Sequence, residues 1–154
     1  MQISFESATQ ADAISLIAEL DAYQSALYPP ESHHALDLAS VAEHGLLFVV
    51  ARDDAGQAVG CGAVVLAPKY GELKRMYVRP QQRGAGLAQS ILRTLEGAAV
   101  TAGCNVLKLE SGPYQPEALA LYARCGYHRC GPFGTYADDP LSVFMQKKLA
   151  GSRA

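Results

Sequence analysis

Residues 78–96 read VRPQQRGAGLAQSILRTLE, and Gly84 and Gly86 stand where a strand would hand over to a helix. The first N–H groups of a helix have no partner inside it, and the aligned peptide dipoles add partial positive charge there. Glycines strip side chains from that spot, so an anion can come close to bare amides. The chemistry offered by Gln81-x-x-Gly84-x-Gly86 is the grip of a phosphate; the plain alternative is a tight turn that binds nothing. Two other phosphate cradles do not fit. There is no GxxxxGK[ST], which excludes a P-loop, and GAGLAQ lacks the third glycine of the dinucleotide fingerprint.

The loop needs a strand before it and a helix after it, and the surrounding pattern supplies both. YGELKRMYVR (70–79) reads as a strand, and Leu87, Ile91, Leu92, Leu95 and Ala98 form a helical stripe over 85–101. Upstream, QISFES (2–7) alternates as a strand. Thr9 and Asp12 offer a cap for a helix carrying Ala13, Leu16, Ile17 and Leu20, which should stop before Pro29-Pro30. A second, shorter helix is expected over 31–44. LLFVVARD (46–53) and AVGCGAVVLA (58–67) flank the turn residues DDAGQ and read as a hairpin. Downstream come a strand at 105–111, a helix at 115–126 with Pro116 in its first turn and Gly126 past its end, and strands in YHRCGPF and LSVFMQKKL. This order predicts an α+β (α/β layered) domain over 1–150, with a mixed, mostly antiparallel central sheet flanked by helices.

Two stretches carry a resemblance. Gln81-x-x-Gly84-x-Gly86, after LKRMYV and before an amphipathic helix, resembles the pyrophosphate signature of the GNAT superfamily of acyl-CoA-dependent N-acyltransferases. Residues 115–127 resemble that family's later helix, with Ala118, Tyr122 and Gly126-Tyr127 at the expected spacing and Gln115 where an asparagine is usual. The resemblance implies a GNAT-like fold and acetyl-CoA as co-substrate. It also implies that the amides of Arg83, Gly84, Ala85, Gly86, Leu87 and Ala88 hold the pyrophosphate. The backbone of Met76, Tyr77 and Val78 then pairs with the pantetheine arm and provides an oxyanion donor, and Gln115 and Ala118 lie beside the cofactor. Splayed strands at 72–79 and 105–111 would leave the slot.

An acyl transfer to an amine needs a base, a stabilised oxyanion and a proton for the departing thiolate. The resemblance assigns the last to Tyr122, on one helical face with Ala118 and Cys125. It assigns the base to Glu72, directly or through water, with Lys74, Met76 and Val78 expected on the same strand face. The same residues also fit a buried core tyrosine and an ion pair of Glu72 with Lys74 or Arg75. Acceptor contacts are expected in 26–37 and 133–144, where Tyr28, His34 and Tyr136 stand in loop-like sequence, and at Glu110 on a strand end. The acceptor implied is a small primary amine, an amino acid or polyamine-like; a protein N-terminus or lysine, or a CoA-binding module without catalysis, are the alternatives. Family members are often dimers, and the apolar last strand is a candidate for pairing across a homodimer interface.

Composition bounds the rest. The chain has 154 residues, 49% hydrophobic and 18% charged, with a net charge of -2. That balance speaks against a nucleic-acid binder. No apolar run is long enough to span a bilayer, and the N-terminal sequence lacks a signal-peptide pattern. Cys61, Cys104, Cys125 and Cys130 form no CxxC pair, and the four histidines show no ligand spacing. The expectation is a cytoplasmic protein with no metal and no membrane partner.

Overall fold

The computed structural model describes residues 1–30 and 45–149. Seven strands form one sheet in the order β1-β2-β3-β4-β5-β7-β6. They are β1 (Gln2–Phe5), β2 (Leu46–Arg52), β3 (Ala58–Leu66), β4 (Gly71–Val78), β5 (Val106–Ser111), β6 (His128–Cys130) and β7 (Val143–Lys148). Among the described residues three α-helices accompany them: α1 (Ala11–Leu27), α2 (Leu87–Thr101) and α3 (Pro116–Arg124). All pairings are antiparallel except β4 with β5. The expected mixed, mostly antiparallel sheet is what forms. The helix expected over 31–44 lies outside the described residues.

The central strands are apolar on both faces because helices cover both. On β2, Val49 and Ala51 join the core built with Leu87, Ile91, Leu92 and Leu95 of α2, while Phe48 and Val50 join Ala13, Leu16 and Leu20 of α1. The β2–β3 hairpin closes through Asp53, whose carboxylate accepts the amides of Ala55 and Gln57 at 3.0 and 2.9 Å. Helix α3 lies on the α2 side, with Tyr122 in that core.

Three sequence expectations are corrected. The N-cap of α1 is Gln10 and makes no side-chain cap. Thr9 instead pairs with Ser7 at 2.8 Å, and Asp12 with Arg52 at 3.0 Å. The apolar last strand β7 is not the edge of the sheet; β5 pairs along its whole length and β6 along Phe144–Gln146. Finally, Glu72 and Lys74 do not share a face with Met76 and Val78. Arg75 has φ 58°, and the β3–β4 register shifts between Cys61 and Ala63, which leaves Arg75 and Met76 against Gly62 alone. This bulge inverts the alternation. Leu73, Met76 and Val78 pack on the α2 side and Tyr77 on the α1 side.

Gly62 is required by the bulge. A Cβ there would lie 2.6 Å from Met76 Sδ and 2.9 Å from both Ile91 Cγ2 and Leu95 Cδ1. Gly62→Ala is expected to cost ~1–3 kcal/mol by overpacking, read as a lower urea midpoint at unchanged slope.

Arg52 ties the β1–α1 connection to the sheet. Its Nη2 donates to Glu6 Oε1 at 2.7 Å and its Nε to Glu6 Oε2 at 3.0 Å. The Arg52 guanidinium holds the Glu6 carboxyl down at about 2, from an ordinary 4.5. A depressed carboxylate stabilises the fold fully above its unfolded value and loses that contribution as pH falls from about 4.5 through about 2. For a partly solvated pair the loss is ~1 kcal/mol. Arg52→Met should remove this component from the pH dependence of the urea midpoint, leaving the neutral-pH slope unchanged.

Candidate active site

The turn after β4 is built as the residue pattern demands. Pro80–Gln82 form one 3₁₀ turn, after which Gly84 (φ 88°) and Gly86 (φ 80°) adopt left-handed backbone and Gly86 caps α2. The first helical bond runs from Ser90 N–H to Gly86 O at 3.1 Å. Among the described residues no acceptor takes the amides of Gly84 through Gln89. A Cβ at Gly84 or Gly86 would meet no protein atom within 4 Å, and no acidic residue stands in the first turn of α2. Bare amides, open space and the positive helix end fit a diphosphate. Arg83 differs from expectation: its amide already donates to Pro80 O at 3.3 Å. Its Nε donates to Val78 O at 2.9 Å, and its guanidinium lies over the Tyr77 ring. Arg83 braces the turn, and the open row begins at Gly84.

β4 leads from this turn to a cleft of about 270 Å³. Its parallel ladder with β5 covers only Gly71↔Leu107 to Leu73↔Leu109. Beyond Leu73 the strands part, as the splayed pair was expected to do. The cleft passes through that split. α1 walls one mouth with Asp21, Gln24 and Tyr28; α3 walls the other with Gln115, Ala118 and Tyr122; β5 adds Glu110 and Ser111. A cleft open to both sheet faces lets two reactants approach from opposite sides.

Tyr122 is buried on the α3 wall, edge-on to Tyr127. Its main-chain oxygen accepts the Tyr127 amide at 3.0 Å, and Tyr127 OH donates to Glu96 at 2.8 Å, so the helix end is tied to α2. No described residue hydrogen-bonds the Tyr122 hydroxyl. Burial, and then neighbouring Cys125, push this phenol well above the ordinary tyrosine range, so it stays protonated at neutral pH. A protonated phenol in a cleft wall can donate to an atom placed there.

Glu72 does not itself line the cleft. Its Oε2 accepts from Tyr136 OH and from Lys74 Nζ at 3.2 Å, and Lys74 Nζ also donates to Tyr136 OH at 3.0 Å. Lys74 is the member of this trio that faces the cleft. Tyr136, expected as an acceptor contact, sits behind it among Phe133 and Phe144. Burial, and next the Glu72 carboxylate, raise its phenol above the usual range. Tyr28 is in the wall: it stacks on Tyr114 at 5.3 Å and accepts the Tyr114 amide at 3.1 Å. The chain crosses its ring at Gly112, where an added Cβ would clash. His34 lies outside the described residues. Among the described residues no group of three or more His, Cys, Asp or Glu is placed to hold a metal, and no helix is long and apolar enough to cross a membrane.

Asp21, Lys74 and Arg75 line the cleft and were not read from the sequence as site residues. Gly62, one of two glycines inside β3, was the available signal, since a glycine in an apolar strand marks a bulge or a close backbone approach.

Residues 14–127 match the Acetyltransferase (GNAT) family. The chain belongs to the GNAT family of acetyltransferases. Acetyl-CoA is the acyl donor of this GNAT enzyme. An IAA acetyltransferase from Azospirillum brasilense is 46% identical over 149 residues, covering 96% of this chain and 97% of that one. A crystal structure from Klebsiella pneumoniae, provisionally assigned as an acyl-CoA N-acyltransferase, superposes with a TM-score of 0.88 at 42% identity. It covers 96% of this chain and 97% of its own. The PaiA N-acetyltransferase of Thermoplasma acidophilum, solved with coenzyme A, shares the fold at a TM-score of 0.71 and 16% identity, over 96% of this chain and 99% of that one.

Proposed function

We propose that this GNAT enzyme moves the acetyl group of acetyl-CoA to the primary amine of a small molecule, an amino acid or polyamine-like acceptor, by direct attack. The observation that carries the reading is the split between β4 and β5, with a buried, protonated Tyr122 on one side and polar residues of α1, β4 and β5 on the other. At about 270 Å³ the cleft is at the small end of sites for small molecules, which favours a compact acceptor over a protein segment.

The donor supplies an activated acetyl group and a thiolate leaving group. The amides of Gly84, Ala85, Gly86, Leu87 and Ala88 hold its diphosphate, with Gln81 and Arg83 shaping the turn. The main chain of Met76, Tyr77 and Val78, beyond the end of the β4–β5 ladder, lies along the pantetheine arm and aims an amide at the developing oxyanion. Gln115 and Ala118 flank the arm on the α3 side. Tyr122 gives its hydroxyl proton to the departing sulfur. Glu72 receives the proton of the attacking amine. Lys74 is the member of the trio that lines the cleft, so the transfer runs through water rather than by direct contact. Tyr136 is a positioning residue for Glu72. Tyr28 and Glu110 bound the acceptor space.

A panel of amino acids, polyamines and peptides, together with the IAA named for the Azospirillum relative, is incubated with acetyl-CoA and read as released thiol. Turnover with small amines is the expected result. Turnover of peptides alone would move the reading to protein acceptors, and coenzyme binding without any turnover would make the chain a non-catalytic module. In the same assay Glu72→Gln, which keeps the shape and can still accept from Tyr136, should lower kcat ~10²-fold. An unchanged kcat would take the base role away from Glu72.

A further inference from the structure

We infer that Lys74 is a second acyl acceptor: with acetyl-CoA bound and no amine in the cleft, the enzyme acetylates this side chain itself. The inference rests on the donor site read above and adds a modification site to it.

Among the lysines, Lys69, Lys74, Lys108, Lys147 and Lys148, Lys74 is the one that lines the cleft. Its Nζ lies 3.2 Å from Glu72 Oε2, and the two side chains are 10% and 17% exposed. Tyr136 OH donates to the same carboxylate oxygen and accepts from Lys74 Nζ at 3.0 Å. A nucleophile in reach of a base, with the base oriented by a third group, is the arrangement that makes a side chain an attacking group. The ion pair with Glu72 is the protonated form of that arrangement, and Glu72 is where the proton goes. Lys147 stands in a similar trio: its Nζ is 3.1 Å from Glu96, which also accepts from Tyr127 OH at 2.8 Å. That trio is away from the cleft, so what sets Lys74 apart is its place.

The diphosphate turn follows Val78, so the arm of the donor runs back along β4 and its sulfur end comes to Met76. Lys74 stands two residues further on, about 7 Å along a strand, and carries its amine on a flexible four-carbon stem. Tyr122 faces it from the α3 wall. The Lys74 ammonium gives one proton to Glu72, and the freed amine attacks the thioester carbonyl. The N–C bond forms, the C–S bond breaks, and Tyr122 protonates the sulfur. The second amine proton restores Tyr122, and Glu72 passes the first to solvent. The products are an amide, a free thiol and a proton. The amide is not broken again by this chemistry, so the mark stays. It removes the ammonium from Glu72 and adds bulk to a cleft of about 270 Å³. An acceptor amine in the cleft competes for the same acetyl group and protects Lys74.

The test incubates the enzyme with acetyl-CoA alone and locates acetyl groups by peptide mass spectrometry. Lys69 and Lys148 are exposed and report spontaneous acetylation; Lys147 reports a trio without a donor. Lys74 should be labelled about tenfold or more faster than these, as a placed nucleophile beside a bound donor requires. Excess CoA, which occupies the donor site, should suppress labelling of Lys74 and spare Lys69 and Lys148. Glu72→Gln should slow Lys74 and leave Lys147 unchanged. The fraction labelled should match the fraction of amine turnover lost. Labelling of Lys74 no faster than of the exposed lysines, or indifferent to CoA, would overturn the inference; if acetyl-CoA still binds by calorimetry and amines turn over, small-amine acetylation stands. A labelled Lys74 with no amine turned over would support the inference and remove the small-amine reading. Absence of acetyl-CoA binding would take down both.

Discussion

Tyr122→Phe is expected to lower kcat by ~10²–10⁴-fold while acetyl-CoA binds as before. The ring would stay packed edge-on against Tyr127, and no described residue loses a hydrogen bond, so the fold should hold. What disappears is the hydroxyl proton, which any phenol keeps at neutral pH and which burial holds more firmly. Steady-state kinetics would show the fall in kcat, and calorimetry the unchanged donor affinity. Turnover at the wild-type rate would remove Tyr122 from the reaction and leave it as a core tyrosine.

The second large effect is expected at the diphosphate turn. Replacing Gly84 and Gly86 together by alanine should weaken acetyl-CoA binding by ~10²-fold or more, since charge-assisted hydrogen bonds to two or more amides are lost. Two causes add. Both residues sit at positive φ, where a Cβ costs ~1–2 kcal/mol each. The new methyl groups would also enter the open space in front of the amides. Gly97→Ala is the matched control. It lies in the body of α2 with nothing near its Cβ position, so it should raise stability by ~0.5–1 kcal/mol and leave donor affinity unchanged. Equal weakening by both variants would mean that α2 stability, and not the turn, governs binding.

The parts of this protein that depend on near neighbours in the chain were legible in advance. Gly84 and Gly86 read as a glycine turn opening a helix because backbone conformation at a turn is a local matter. The stripe of Leu87, Ile91, Leu92 and Leu95, and the hairpin around Asp53, are likewise periodicities and turn chemistry written over a few residues. The capping of α1 was misread because Asp12 had a stronger offer from Arg52, forty residues away, than from its own helix end. Around Glu72 the ion pair with Lys74 was among the readings the sequence offered, but the hydroxyl partner was not. Its hydroxyl partner, Tyr136, is 64 residues distant, and an aromatic group around Phe133 and Phe144 brings it there.

From the amino-acid sequence by itself come the order of the elements, the diphosphate turn, the placing of Tyr122 on a helix face and the family resemblance that assigns acetyl-CoA. All of these follow from short-range rules: periodicity, caps, turns and spacing. Tertiary structure alone decided that Arg75 bulges, that Lys74 and Arg75 consequently share one cleft, that Glu72 stands behind Lys74, and that β7 is enclosed between two strands. Each depends on which strand lies beside which and in what register. Register is settled by packing between residues far apart in the chain, and a shift of one residue sends a side chain to the opposite face.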